Sequence, residues 1–168
     1  MADGTLKVGT ITNSAGSGNI AIGSGVTLLS NVPAFEAKMS ANQTISTGTD
    51  TKIVFDTEIY DTDSAYDTSN YKFTPTVAGK YQVGLQVRVS GSAQQNFYLS
   101  FFKNGSKVKR LQIVQANLNT NQSIGIFTGI VELNGSTDYL EAYINMSGST
   151  NIYGNNDDNY FTAYRIGA

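Results

Sequence analysis

The chain has 168 residues, a net charge of −2, only 14% charged side chains, and neither Cys nor His. That length favours one domain with a short appendage, and the acidic balance argues against bulk nucleic acid or an anionic membrane as partner. The missing residue types exclude a disulfide framework, a thiolate zinc site, an imidazole base and a Ser-His-Asp triad, so any catalysis would have to run on carboxylates, Lys, Tyr or hydroxyls alone.

Residues 1–31 read as an extended arm. Thr5-Leu6-Lys7-Val8-Gly9-Thr10-Ile11 and Asn19-Ile20-Ala21-Ile22 alternate polar and apolar around a turn cluster, Asn13-Ser14-Ala15-Gly16-Ser17-Gly18. These pieces hold too few apolar groups to bury a core, so something else must order them. The start, Met1-Ala2-Asp3-Gly4, has neither the basic nor the apolar region of a signal peptide. No apolar run approaches the ~20 residues of a membrane helix.

From Asn31 onward the pattern is β. Tyr81, Val83, Leu85, Val87 and Val89 alternate with Gln82, Gly84, Gln86 and Arg88, as in a half-buried strand. Turn signals fall at Val77-Ala78-Gly79, Lys103-Asn104-Gly105 and Asn134-Gly135, the last two carrying the Asn-Gly pair that favours hairpins. No capped segment of helical period occurs. Many short strands with regular turns predict an all-β fold, a sandwich or jelly roll. Two strands carry apolar side chains on both parities: Phe97-Tyr98-Leu99-Ser100-Phe101-Phe102 and Ile124-Gly125-Ile126-Phe127-Thr128-Gly129-Ile130-Val131. One parity fills a core; the other also needs cover, and self-association is the simplest source of it.

Phe55, Asp61, Tyr66, Phe73, Gly79, Lys80 and Tyr81 stand at the spacing of a known signature. It resembles that of the globular head of the first complement component, subcomponent q, within the tumour-necrosis-factor-like superfamily. Val83 and Leu85 occupy the last two signature positions, where the family has aromatics. Pro33-Ala34-Phe35-Glu36-Ala37 resembles the family's first strand and Tyr160-Phe161-Thr162-Ala163-Tyr164 its last. The resemblance covers residues 32–168. It implies an all-β, about ten-stranded antiparallel jelly-roll sandwich, homotrimeric, with apolar side chains along the trimer axis. Tyr98, Phe102, Phe127, Val131 and Tyr164 are the candidates for that interface. Phe55, Phe73 and Tyr81 should cross the core, and Gly79 should sit in a tight turn.

The arm carries a second resemblance. Gly4–Ile11 followed by Gly18–Ile22 is similar to the start of virion proteins of tailed phages, including those of cyanobacteria. The expected function is therefore a structural, non-enzymatic protein of a phage virion. The leading form is a homotrimeric capsid decoration, or cement, protein held to the head through Leu6, Val8, Ile11, Ile20 and Ile22. Its expected partners are its own copies and the major capsid protein. The alternative is a tail-fibre or receptor-binding head, attached to a tail protein, whose loop of Tyr153, Asn155, Asn156, Asp157 and Asp158 meets a host surface glycan. No cofactor and no metal are expected. Asp61-Thr62-Asp63 starts like a calcium loop, but Ala65 and Tyr66 stand where a ligand and the turn glycine belong. Asp61, Asp63, Asp157 and Asp158 are the carboxylates that a calcium ion at a trimer apex would use. Lys103, Lys107, Lys109 and Arg110 form a basic cluster that reads as a solvated edge resisting strand addition.

Overall fold

The computed structural model describes Ser24 and residues 32–90, 96–114, 122–148, 150–154 and 157–168. The attachment residues expected in the arm, Leu6, Val8, Ile11, Ile20 and Ile22, lie outside them, as do Asn155 and Asn156. Val32–Ala168 forms one compact unit. Its described residues build thirteen strands: β1 (Ala34–Lys38), β2 (Gln43–Ile45), β3 (Thr51–Lys52), β4 (Thr57–Asp61), β5 (Tyr66–Asp67), β6 (Lys72–Phe73), β7 (Gly79–Ser90), β8 (Asn96–Lys103), β9 (Ser106–Val114), β10 (Gln122–Leu133), β11 (Leu140–Met146), β12 (Thr150–Ile152) and β13 (Tyr160–Gly167).

The strands form two antiparallel sheets of a jelly roll. In the first, β10 lies along one edge of β7, in register from Gln122↔Ser90 to Leu133↔Gly79. β13 lies along the other edge, followed by β1 and β4. β12 extends that edge at Ile152↔Val89 and carries β2. In the second sheet β11 is central, with β8 and then β9 on one side and β6 with β5, and β3, on the other. The alternation read in residues 81–89 holds: Tyr81, Val83, Leu85, Val87 and Val89 are all fully buried.

Between the sheets lies an aromatic layer. Phe35 on β1 stacks on Tyr66 at 4.6 Å and on Phe73 at 4.5 Å, and meets the edge of Phe161 at 5.0 Å. Phe55, Phe73 and Tyr81 are buried as the sequence suggests. Tyr66 can sit there because its hydroxyl donates to the Phe55 carbonyl at 2.8 Å; burial pushes that hydroxyl's pKa far up.

Two turn expectations meet different outcomes. Asn104-Gly105 is the two-residue β8–β9 turn, with φ of 52° and 75°, the left-handed pair that a type I′ hairpin needs. Asn134-Gly135 is no hairpin. It opens a loop that crosses from β10 in one sheet to β11 in the other, and Asn134 Oδ1 holds it by accepting from the amides of Ser136, Thr137 and Asp138. Gly79 likewise is not inside a tight turn. It begins β7, where a Cβ would collide with the Gly167 carbonyl and the Arg165 side chain.

The sandwich opens between β9 and β10. Of the β9 side chains, Lys109 and Ile113 turn inward with the parity of Leu111; the Lys109 stem lies on Gly129, and Ile113 and Phe97 lie on Gly125. A Cβ at either glycine would displace them. Lysine on the inward parity of an edge strand also discourages strand addition.

Candidate interaction surfaces

On the outer side of the first sheet, the outward parities of β10, β7 and β13 meet in three rows. Ile130, Gln82 and Tyr164 form one; Thr128, Gly84 and Thr162 the next; Ile126, Gln86 and Tyr160 the third. No side chain in these rows carries a charge. Lys80 and Glu132 pair across the strands at one end, and Arg88, bonded to Asp158 at 2.5 Å, closes the other. Ile124 is 52% exposed, Ile126 57%, Ile130 49% and Tyr164 50%. Such a field of aliphatic and tyrosine side chains on one sheet face is the kind that association covers.

The outer side of the second sheet is built differently. Its aromatics stand half-buried under their own cations. Arg110 lies 3.6 Å from the centre of the Tyr98 ring, and Lys107 lies 5.5 Å from that of Phe102, which itself stacks on Tyr143 at 4.0 Å. Lys107 also binds Asp50 at 2.7 Å, and Lys52 binds the buried Glu141 at 2.5 Å. Ser100, at the centre of this face, is buried, and its hydroxyl has no hydrogen-bond partner among the described residues.

The five residues expected at a trimer interface therefore fall in three places. Tyr164 lies in the uncharged field. Tyr98 and Phe102 lie on the opposite sheet beneath Arg110 and Lys107. Phe127 stacks on Phe101 at 4.8 Å and Val131 is buried in the core, so both point away from the exposed side of β10. The isoleucines of the opposite parity, Ile124, Ile126 and Ile130, were not among the expected residues. A signal for them was present: Gly125 and Gly129 share the parity of Phe127 and Val131, and strand glycines mark close approach by a neighbour.

The described residues of the expected ligand loop each meet a partner within the chain. Tyr153 lies 5.4 Å under the Arg88 guanidinium, which also binds Asp158 and Gln122. Asp157 pairs with Lys38 at 2.9 Å. The buried Asn159 accepts from the Arg88 amide at 2.6 Å and donates to the Tyr153 carbonyl. In the acidic run, Asp61 accepts from the amides of Asp63 and Tyr66, Asp63 from Thr76, and Asp67 from Ser69 and Asn70. Asp61 and Asp67 serve their own turns and Asp63 ties its loop to Thr76, and among the described residues no three acidic groups gather as metal ligands. The basic cluster is dispersed too: Lys103 goes to Asp138, Lys107 to Asp50, Lys109 onto Gly129 and Arg110 onto Tyr98. No helix of the described residues is long and apolar enough to cross a membrane.

These carboxylate contacts set the response to acid. The Lys103 and Asn104 side chains hold Asp138 below the usual carboxylate range, and Lys107 does the same for Asp50. Asn70 lowers Asp67. Burial raises Asp56, but the donors of Ser40 outweigh it. Groups with a lowered folded pKa add stability that is complete above their unfolded value, about 3.9, and vanishes as pH drops through the folded one. With no histidine to titrate, thermal melts should give a midpoint nearly constant from neutrality to about pH 5 and falling below about pH 4. A midpoint that drops between pH 7 and 5 would contradict this.

Comparison with known proteins agrees with the fold. Residues 34–165 match the family model of the C1q domain. Solved structures with the same fold include murine APRIL (TM-score 0.61, 9% identity, covering 80% of this chain and 99% of that one). The globular domain of zebrafish complement 1qA is similar at TM-score 0.56 and 14% identity, covering 80% and 97%. Eiger TNF from S. frugiperda is similar at TM-score 0.55 and 10% identity, covering 80% and 91%. No curated protein matches the sequence significantly. C1q and TNF-like domains are typically binding or structural modules that commonly self-associate as trimers. The family match, the two-sheet topology and the aromatic core converge, and this chain belongs to the C1q domain family.

Proposed function

We propose that this chain is a structural protein of a phage virion: a homotrimeric capsid decoration protein that sits on the capsid surface and is attached by residues 1–31. The observation that carries the trimer is the uncharged field with Ile126, Ile130 and Tyr164, bordered by Ile124, which has no cover within the described chain. Tyr98 and Phe102 are left to the outer surface, and Phe127 and Val131 to the core behind the interface. The attachment to the head rests on the arm's likeness to virion proteins, with Leu6, Val8, Ile11, Ile20 and Ile22 as the contact residues. The major capsid protein is the partner. Binding only to the assembled shell stabilises it by mass action.

Deleting residues 2–30 should leave trimers in sedimentation while abolishing binding to capsids. Capsid binding by the deleted form would overturn the arm's role. Labelled imaging of intact virions should show the protein over the whole head; label confined to the tail would replace this reading with that of a tail-fibre head whose 153–158 loop meets host glycans.

A further inference from the structure

The β8–β9 turn is fastened to the start of β11 through one side chain. Asn104 Nδ2 donates to Asp138 Oδ1 at 2.7 Å, and Asn104 Oδ1 accepts from the Tyr139 amide at 2.9 Å. The Asn104 amide donates to the Tyr139 carbonyl at 3.1 Å. Asp138, 8% exposed, receives Lys103 Nζ at 2.8 Å and the Asn134 amide at 2.9 Å on its other oxygen. The residue after Asn104 is Gly105, which presents no Cβ to hinder its own backbone nitrogen.

We propose that Asn104 is a deamidation site, and that its conversion to aspartate unfastens the hairpin tip from β11. The Gly105 nitrogen attacks Asn104 Cγ and loses its proton; the Cγ–Nδ2 bond breaks and ammonia leaves, giving a succinimide. Water then opens the ring to aspartate or, at the other carbonyl, isoaspartate. The net change is one water consumed and one ammonia released. The product replaces the amide donor with a carboxylate directly against Asp138, so that two like charges compete for Lys103. Isoaspartate also lengthens a two-residue turn whose length sets the β8–β9 register.

The folded chain restrains the reaction, because both ends of the Asn104 amide are held and must be freed by local opening. The second Asn-Gly pair is restrained more. Asn134 Oδ1 accepts from three amides, its Nδ2 donates to Thr137 at 2.9 Å, and Gly135 is pressed against Val77 and Ala78. Asn104, with one amide on its Oδ1, should therefore react first.

The test is to hold the full chain in mildly alkaline buffer and follow both sites by peptide mapping. Acid should appear at Asn104 several-fold faster than at Asn134 in the folded protein, and at similar rates in urea. Equal rates when folded, or Asn134 reacting first, would overturn the proposal. The consequence is tested with Asn104→Asp, whose melting midpoint should fall by about 4 °C. In Asn104→Asp/Asp138→Asn the amide and carboxylate are exchanged, and most of that loss should return. A single variant that melts with the parent, or a double variant no better than the single one, would show that Asn104 is no fastening.

Discussion

Replacing Phe35 with alanine is expected to cost about 3–5 kcal/mol, a large share of the roughly 5–15 kcal/mol that holds a domain of this size folded. Phe35 is fully buried on β1, between β13, where it pairs with Ala163, and β4, where it pairs with Asp61. Its ring reaches across the sandwich to Phe73 and Tyr66, which belong to the other sheet, and touches the edge of Phe161 on its own. Truncation removes those contacts and leaves a cavity that strands fixed by their ladders cannot close. Urea denaturation followed by far-ultraviolet circular dichroism should show the midpoint drop sharply. A midpoint near that of the parent would mean that the layer repacks without this ring, and the two sheets are joined chiefly elsewhere.

The second large effect is expected at Ile126. Glutamate there should turn trimers into single folded chains. The side chain is 57% exposed, so the fold of one chain does not depend on it. In an assembly built on the uncharged field, however, each copy would bury a carboxylate among Gln86 and Tyr160, and its diagonal neighbour Arg88 is already engaged with Asp158 and Gln122. Each isoleucine also forfeits about 1.5–3 kcal/mol of burial, repeated in every copy. Sedimentation at micromolar concentration should show the smaller species, with circular dichroism unchanged. Val108→Glu is the control: it is 46% exposed, on the second sheet, and should leave trimers whole. Trimers that survive Ile126→Glu but not Val108→Glu would move the interface to the other face.

The core of this fold was legible because its strongest strand alternates. In β7 every odd position from Tyr81 to Val89 is apolar, and only one register buries all of them. Asn104-Gly105 was legible because few turns other than type I′ suit that pair. The side of β10 that faces outward was not, since Ile126 and Ile130 are as apolar as Phe127 and Val131; the register with β7 and the ring of Phe101 decide it. Strands of two or three residues, such as β3, β5 and β12, are too short to show a period. The contacts of Tyr153, Asp157 and Asp158 were not legible because Arg88 and Lys38, which make them, lie far away along the chain. Asn134-Gly135 misled for a related reason: the same dipeptide serves a crossing between sheets when the asparagine side chain collects the amides that follow it.

Arg110 rests on the ring of Tyr98, and that sets how this part of the second sheet's surface behaves in brine. Dissolved electrolyte weakens pairs whose charges stand out in solvent, as Lys38 and the 91% exposed Asp157 do on the rim. A guanidinium 3.6 Å from the centre of Tyr98 has no intervening water to fill with counterions. Seawater strength should thus loosen the rim pair while leaving Arg110 on its ring as it stands in dilute buffer.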